Sequence, residues 1–463
     1  MFIVLSLFTL YLFMLGSVPA SFAGSRGRLL EQAGLTIAVG ILINYCLMLT
    51  GLTIARVFIA GMILALWGVW RFFAPAGPKG PAPYGAGPAL HGVGRVLLNP
   101  AMVFSVACVI CVLAVYYIQI FSEPLLQQDA RAIWFFHARM IWADGALRQS
   151  GGWNHPSIGF SNPDYPKLVP TIAAQLAYMK GYWNEFLPKG SLLVMLVPLT
   201  LWVFSFCQKS LSFVVLAVIF FLSLGAWLWN GVMDGYLALY SAVALLLFGR
   251  YLSRGRDTDL YSGMCAVGIS ASIKNEGLLF ALCLSTSLLV IGLKYPEFGA
   301  GRLAKRIRTD SVFSRLLLLS IAPTLLWIIC KKTWGLQNDI ARDPAAGFLR
   351  FWNRLFDGFT AQYLFNYLTV RATAVWMVIG LLAITAIFSV HQKAKLSRGA
   401  LVAAATSALY FCGLYVVYLS TPHDALTFYL FTSATRTMTA GSVALLVGLF
   451  FLLSGLEVHE GSP

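Results

Sequence analysis

The sequence predicts an all-α polytopic membrane protein, and three observations predict it. Of the 463 residues, 59% are hydrophobic and only 11% are charged. The mean hydropathy of +0.77 excludes an ordinary soluble protein. Uncharged runs such as AMVFSVACVICVLAVYYIQIF are long enough to cross the hydrocarbon core as helices, the structure that satisfies its own backbone there. Apolar segments begin near residues 2, 33, 53, 98, 186, 211, 233, 259, 276, 314, 371, 398 and 434, which predicts roughly thirteen spans in one transmembrane domain over residues 1–463.

Taken in order, the run from Phe2 to Val18 lacks a basic leading segment and reads as a retained helix rather than a signal peptide. It opens an N-terminal group of extra helices over residues 1–97 that ends in a Pro/Gly-rich loop, 72–97. The first large non-spanning stretch is 122–185. Within it, QQDARAIWFFHARMIWADG (127–145) gathers charge among aromatics. An α-helix over 129–144 would put Asp129, Ile133 and His137 on one face and Arg131, Phe135 and Arg139 on another. Such a helix lies flat on the outer leaflet, with Trp134, Phe135, Phe136 and Trp142 either as headgroup anchors or as rings that stack on sugars. KLVPTIAAQLAYMKGYW (167–183) is short and interrupted by Lys180, so it is expected to lie at the interface rather than span. Further non-spanning stretches are 335–370 and 420–433. No soluble domain is present.

The net charge of +15 does not point to nucleic acid in so apolar a chain. Surplus Lys and Arg in membrane proteins collect in cytoplasmic loops and meet anionic lipid there. Three basic groups do so here: Lys294, Arg302, Lys305, Arg306, Arg308 and Arg315; His391, Lys393, Lys395 and Arg398; and Arg250, Arg254 and Arg256. Placing all three inside puts 122–185, 335–370, 420–433 and the N-terminus outside and the C-terminus inside. Most of the eight cysteines, among them Cys46, Cys108, Cys111 and Cys283, lie in apolar runs without metal or disulfide spacing and are expected to be buried thiols.

With sides assigned, the rare polar residues collect on the external face. Asp129 and Asp164 lie in the first loop, Asp234 (in WNGVMDGY) opens a span, and Lys274 and Glu276 (in ASIKNEGL) occupy a turn between spans. His423, Asp424 and Arg436 lie in TPHDALTFYLFTSATR. Ionisable groups at membrane boundaries persist when paired or used. Any one of these could be a helix cap or a snorkelling side chain, but five separate parts of the chain converge on one face, which describes a site.

In this order the features resemble the GT-C class of integral-membrane glycosyltransferases, more particularly bacterial relatives of the protein O-mannosyltransferases and of the lipid A aminoarabinose transferase. The matching stretches are QQDARAIWFFHARMIW, NPDYPKLVP, WNGVMDGYLALY, SIKNEGLLF and TPHDALTFYLFTSATR, between residues 127 and 436; the first three spans match nothing in that class. The resemblance implies a GT-C-like enzyme of a bacterial inner membrane that moves a sugar from a polyprenyl-phosphate donor to an acceptor hydroxyl at the periplasmic face. It implies that Asp129 is the base that activates the acceptor, and that Lys274 and Arg436, with Arg131 beside them, hold the donor phosphate. Asp164, Tyr165 and His137 would then contact substrate, although a Pro-flanked Asp also makes turns. Asp234, Glu276, His423 and Asp424 either position sugar or acceptor or pair with the nearby cations.

The chemistry agrees: inverting transfer needs a carboxylate to take the hydroxyl proton and cations to stabilise the departing phosphate. Lys and Arg both serve phosphate. The partners expected are the lipid-linked donor, a lipid, glycan or protein acceptor, and membrane lipid. Asp129 is followed by Ala130 and Arg131, so no paired acidic motif stands there, and transfer without a metal or other cofactor is expected. The alternatives are a lipid-linked glycan ligase or polymerase, whose large loop comes late in the chain, and a transporter, which would place its charges near the bilayer midplane on repeated halves.

Overall fold

The computed structural model describes residues 1–20, 29–73, 100–206, 221, 224–295, 299–336, 338, 343–371, 397–422 and 426–459, with scattered positions between 376 and 387. The spans expected near 211 and 371 lie largely outside these residues, as do His423, Asp424 and the basic run His391–Lys395. Every other expected span is a helix. Among the described residues there is no strand, only an isolated bridge between Thr53 and Ala146.

The helices are α1 (Phe2–Ala20), α2 (Leu29–Leu49), α3 (Ile54–Phe73) and α4 (Pro100–Ser122), then α5 (Phe135–Asp144), α6 (Leu168–Lys180), α7 (Gly190–Phe206) and α8 (Asp234–Arg254). They continue with α9 (Asp257–Ile273), α10 (Asn275–Lys294), α11 (Ala300–Thr309), α12 (Ser311–Thr333), α13 (Pro344–Phe356) and α14 (Gly358–Arg371). The last three are α15 (Arg398–Ser420), α16 (Leu426–Thr437) and α17 (Thr439–His459). Among the described residues, eight helical segments are long and apolar enough to cross a membrane, which makes this an integral multi-pass membrane protein.

The spans sort by what surrounds them. The Asp234–Arg254 span is the least apolar of the eight and the most enclosed, with 89% of its apolar stretch buried. It packs against α7, α9, α15 and α17, so neighbouring protein rather than lipid solvates its polar residues. The α4 span is the most apolar, and only 22% of its apolar stretch is buried, as a lipid-facing helix requires. Of the cysteines expected to be buried, Cys283 is, Cys46 and Cys108 are half-buried, and Cys111 is exposed on this lipid-facing α4.

Two expectations for the first loop are corrected. Residues 130–134 form a π-helical turn ahead of α5, and this wider turn breaks the α register that put Asp129 and His137 on one face. Trp134 and Phe135 are buried against protein instead of resting among headgroups. The segment expected at the interface, α6, is buried all round from Leu168 to Ala177 because α1, α2, α5, α7 and α9 all pack on it. The two polar positions of this buried stretch, Thr171 and Gln175, lie one turn apart. Gln175 and Asn44 of α2 exchange both amide hydrogen bonds, at 2.8 and 3.0 Å, which satisfies two fully buried amides.

Arg250 and Arg256, from one of the basic groups expected inside, are not simply solvated. Arg250 contacts Glu31 at 3.0 Å and pairs with Asp259, and Arg256 contacts Glu31 at 2.7 Å. This four-membered network ties together the ends of α2, α8 and α9.

Candidate functional site

At the opposite end of α8 and α9, the charges singled out in the sequence come together. Asp234 occupies the first turn of α8, where the helix dipole favours a carboxylate. The preceding turn is set by Gly231, whose φ of +83° is closed to most side chains and whose added Cβ would stand 2.9 Å from the Ala130 methyl. That contact seats the WNGVMD segment directly on the π turn.

Lys274 is a single extended residue between α9 and α10, φ −151° and ψ 158°. The two helices close tightly behind it, because a Cβ on Gly277 would fall 2.0 Å from the Ser270 carbonyl. This joint aims three consecutive side chains into the cluster. Lys274 Nζ meets Asp234 Oδ1 at 2.8 Å and Glu276 Oε1 at 3.2 Å, and Asn275 donates to Asp164 Oδ2 at 2.8 Å. Burial pushes the Lys274 ammonium down, but the charges of Asp234 and Glu276 outweigh it and hold it well above the ordinary lysine range. Glu276 Oε2 is buried and accepts no hydrogen bond from the protein.

Asp129, at the start of the π turn, pairs with Arg436 of α16. Both are partly open, with side chains 34% and 28% exposed. Asp234 also acts on Arg436 through its charge, as does the Tyr165 side chain, so the Asp129–Arg436 pair adjoins the Asp234–Lys274–Glu276 group. Tyr165 stacks on Trp134, ring centroids 5.5 Å apart, and the Lys274 ammonium lies 5.9 Å from its centroid. The sequence-selected residues Asp129, Asp164, Tyr165, Asp234, Lys274, Glu276 and Arg436 are thus gathered in one place.

Two selected residues are placed otherwise. Arg131 is exposed on the π turn. His137 is wholly buried and belongs to a structural knot instead of a substrate surface. Its Nε2 is 3.0 Å from Ser161 Oγ, which itself donates to the Ile158 carbonyl at 2.7 Å. Nε2 therefore carries the proton, and Nδ1 accepts from Lys167 Nζ at 3.0 Å. Burial and the neighbouring Lys167 hold His137 well below its ordinary range.

Lys167, which sequence reasoning did not single out, completes the knot. It is wholly buried, donates to the Pro163 carbonyl at 2.9 Å and faces the Trp153 ring at 4.5 Å. Burial holds its pKa well below the lysine range, against the opposing pull of Asp164. The knot grips the NPDYP turn from behind, and the Trp327 indole N–H donates to the Asp164 carbonyl from α12 at 3.3 Å. Asp164 and Tyr165 are held by this scaffold.

Asn275, Tyr410 and Tyr418 were also missed. Tyr418 OH is 2.9 Å from Thr437 Oγ1 and 3.0 Å from Ser433 Oγ, and Tyr410 donates to the Thr437 carbonyl at 3.0 Å. Together they brace the turn of α16 that carries Arg436. The signal was present: Tyr410, Leu414 and Tyr418 repeat every four residues on one face of α15. Among the described residues, no three His, Cys, Asp or Glu side chains are grouped as metal ligands.

Chemically, the cluster offers an accessible carboxylate beside an accessible guanidinium, and behind them a buried cation fixed between two carboxylates. In comparison with known proteins, the chain matches no family model and no curated protein.

Proposed function

We propose that this protein is a GT-C-like glycosyltransferase that moves a sugar from a polyprenyl-phosphate donor to an acceptor hydroxyl at the membrane surface, with inversion. The observation that carries this reading is the Asp129–Arg436 pair, a partly open carboxylate and guanidinium at the end of a helical bundle, where a lipid-borne phosphate and an acceptor would meet. The likeness of the motif order to the GT-C class, and roughly thirteen spans, belong to the same proposal, as does a periplasmic face for the site.

In this reaction the donor phosphate takes the Arg436 guanidinium as its counter-ion, which releases Asp129 from the ion pair. Asp129 accepts the acceptor's hydroxyl proton as the oxygen attacks the anomeric carbon. The bond from that carbon to the phosphate oxygen breaks, and the electron pair leaves with the polyprenyl phosphate beside Arg436. Lys274 is committed to Asp234 and Glu276, so its role becomes one of positioning, and the phosphate role falls to Arg436 with exposed Arg131. Glu276 Oε2 is the acceptor best placed to take a sugar or acceptor hydroxyl. His423 and Asp424, outside the described residues, are proposed to position sugar or acceptor on the sequence resemblance alone.

The test is sugar transfer by the purified protein in detergent with a panel of polyprenyl-phosphate sugars, comparing wild type with Asp129→Asn. General-base loss lowers turnover by roughly a hundredfold or more with donor binding retained, and chelator leaves wild-type transfer unchanged. Equal turnover in the two proteins removes Asp129 from the mechanism. Absence of donor binding by wild type removes the transferase reading itself.

A further inference from the structure

The far end of α9 and α10 from this cluster holds a cavity of about 710 Å³, within the roughly 300–1,000 Å³ range of small-molecule sites. α10 and α12 both pack on α9, and the cavity is the groove between them. Its walls are apolar, with Leu284 and Leu288 from α10, Phe313 and Leu317 from α12, and Leu260 and Met264 from α9 behind. Only 33% of the apolar stretch of α10 and 28% of that of α12 are buried, so the groove faces the surroundings of the bundle, which in a membrane is lipid.

One end of the groove is closed by α11, AGRLAKRIRT, which contributes Arg302, Lys305 and Arg306 to the lining. α11 is held firmly there. Arg306 pairs with Asp257 and bonds the Tyr251 hydroxyl at 3.2 Å, and Asp310 caps α12 through the backbone N–H groups of Val312 and Phe313 at 3.1 and 3.0 Å. Leu303 and Ile307 remain 40% and 45% exposed, as expected of a short basic helix lying in the headgroup layer. An apolar slot open to lipid, ending at two exposed basic side chains, is complementary to an amphiphile with a chain and an anionic head. From Phe313 to Ile321 the slot follows α12 for about 12 Å, enough for a large part of one acyl chain.

We propose that this groove is a binding site for an anionic phospholipid, with one acyl chain between α10 and α12 and the phosphate at Arg302 and Lys305. The site is at the opposite end of the bundle from the Asp129–Arg436 pair and does not depend on the activity proposed above.

The experiment is native mass spectrometry of the delipidated full chain titrated with phosphatidylglycerol and, separately, phosphatidylcholine. Wild type, Arg302→Gln/Lys305→Gln and Ser285→Trp are compared. Ser285 lines the groove from an exposed position on α10, so the indole fills the slot without displacing core. Wild type is expected to retain phosphatidylglycerol over phosphatidylcholine. The double variant weakens this roughly 10-fold or more, as two cations near an anionic headgroup imply, and Ser285→Trp abolishes it. Equal retention of the two lipids by wild type, or unchanged phosphatidylglycerol retention in a monodisperse Ser285→Trp protein, overturns the proposal. If neither variant folds, wild type still decides: retention must fall as ionic strength is raised, and retention indifferent to salt overturns it.

Discussion

Replacing Lys274 by Met tests whether the cation at the α9–α10 joint holds the cluster together. Lys274 Nζ lies 2.8 Å from Asp234 and 3.2 Å from Glu276, and the Lys274 and Asp234 side chains are 7% and 3% exposed. The substitution leaves two carboxylates whose oxygens are at most about 6 Å apart, and at an effective dielectric of about 20 their repulsion is roughly 3 kcal/mol. That agrees with the ~3–5 kcal/mol cost of breaking a buried pair from one side. An unfolding entropy of about 2.1 cal/mol/K per residue amounts to roughly 1 kcal/mol per degree over a chain of this length. The expected fall in apparent Tm is therefore about 3–5 °C, measured by size-exclusion survival after heating in detergent at one fixed scan rate. Lys274→Met/Asp234→Asn removes both members and recovers at least half of the loss. A wild-type Tm for Lys274→Met, or losses that simply add in the double variant, refutes the coupling. Because the folded-state pKa of Lys274 is raised, its contribution is fully present below the ordinary lysine pKa and is lost only as pH rises through the folded value. The difference between wild type and Lys274→Met should accordingly stay constant from pH 6 to 9.

Three further outcomes are expected. Arg436→Gln raises the KM for a polyprenyl-phosphate sugar about tenfold or more, since a hydrogen bond to a charged group contributes about 1.5–3 kcal/mol; Arg436→Lys restores part of it, and an unchanged KM in the Gln variant removes Arg436 from donor binding. His137 is depressed in the folded protein, so the unfolded chain takes up a proton that the folded one does not. Stability falls as pH drops below about 6.5, and His137→Gln should flatten this acid slope in a Tm series from pH 7.5 to 5. Gly231→Ala is strained by its positive φ and meets Ala130; it should cost about 1–3 kcal/mol, seen as a fall of the apparent Tm, whereas an unchanged Tm would show that the turn relaxes freely.

Much of the site was legible because rare charges in an apolar chain are conspicuous. Asp129, Asp234, Lys274, Glu276 and Arg436 could be selected by type alone, and the structure brings them together at one end of the bundle. What could not be read were contacts that depend on backbone detail. A π turn at 130–134 looks like α-helix in sequence, and its extra residue per turn sends His137 into the interior. α6 looked interfacial because Lys180 interrupts its run, but five other helices pack on it, and no local pattern records them. Lys167 was overlooked for a related reason. A lysine beside a Pro-rich turn reads as solvated, and only the closing of Trp153, Trp327 and His137 around it shows that it is core.

The two ends of α8 and α9 show why residue type alone does not identify a site. Each end collects acids and bases from distant parts of the chain. At one end Glu31, Arg250 and Asp259 are 1%, 4% and 0% exposed, closed off further by the Phe206 ring, 4.0 Å from the Arg250 guanidinium. Nothing can reach these groups without opening the bundle, and their pairing fixes the mutual height of α2, α8 and α9, since a slip of one turn would strand a charge in the interior. At the other end exposure rises stepwise, from Asp234 and Lys274 through Glu276 to Arg436 and Asp129. The inner members do the same structural work as Arg250 and Asp259. The outer two have the same chemistry but remain open, so a ligand can exchange for either partner. That gradient, more than the presence of charge, is what the proposed binding site rests on; the closed end only holds helices together.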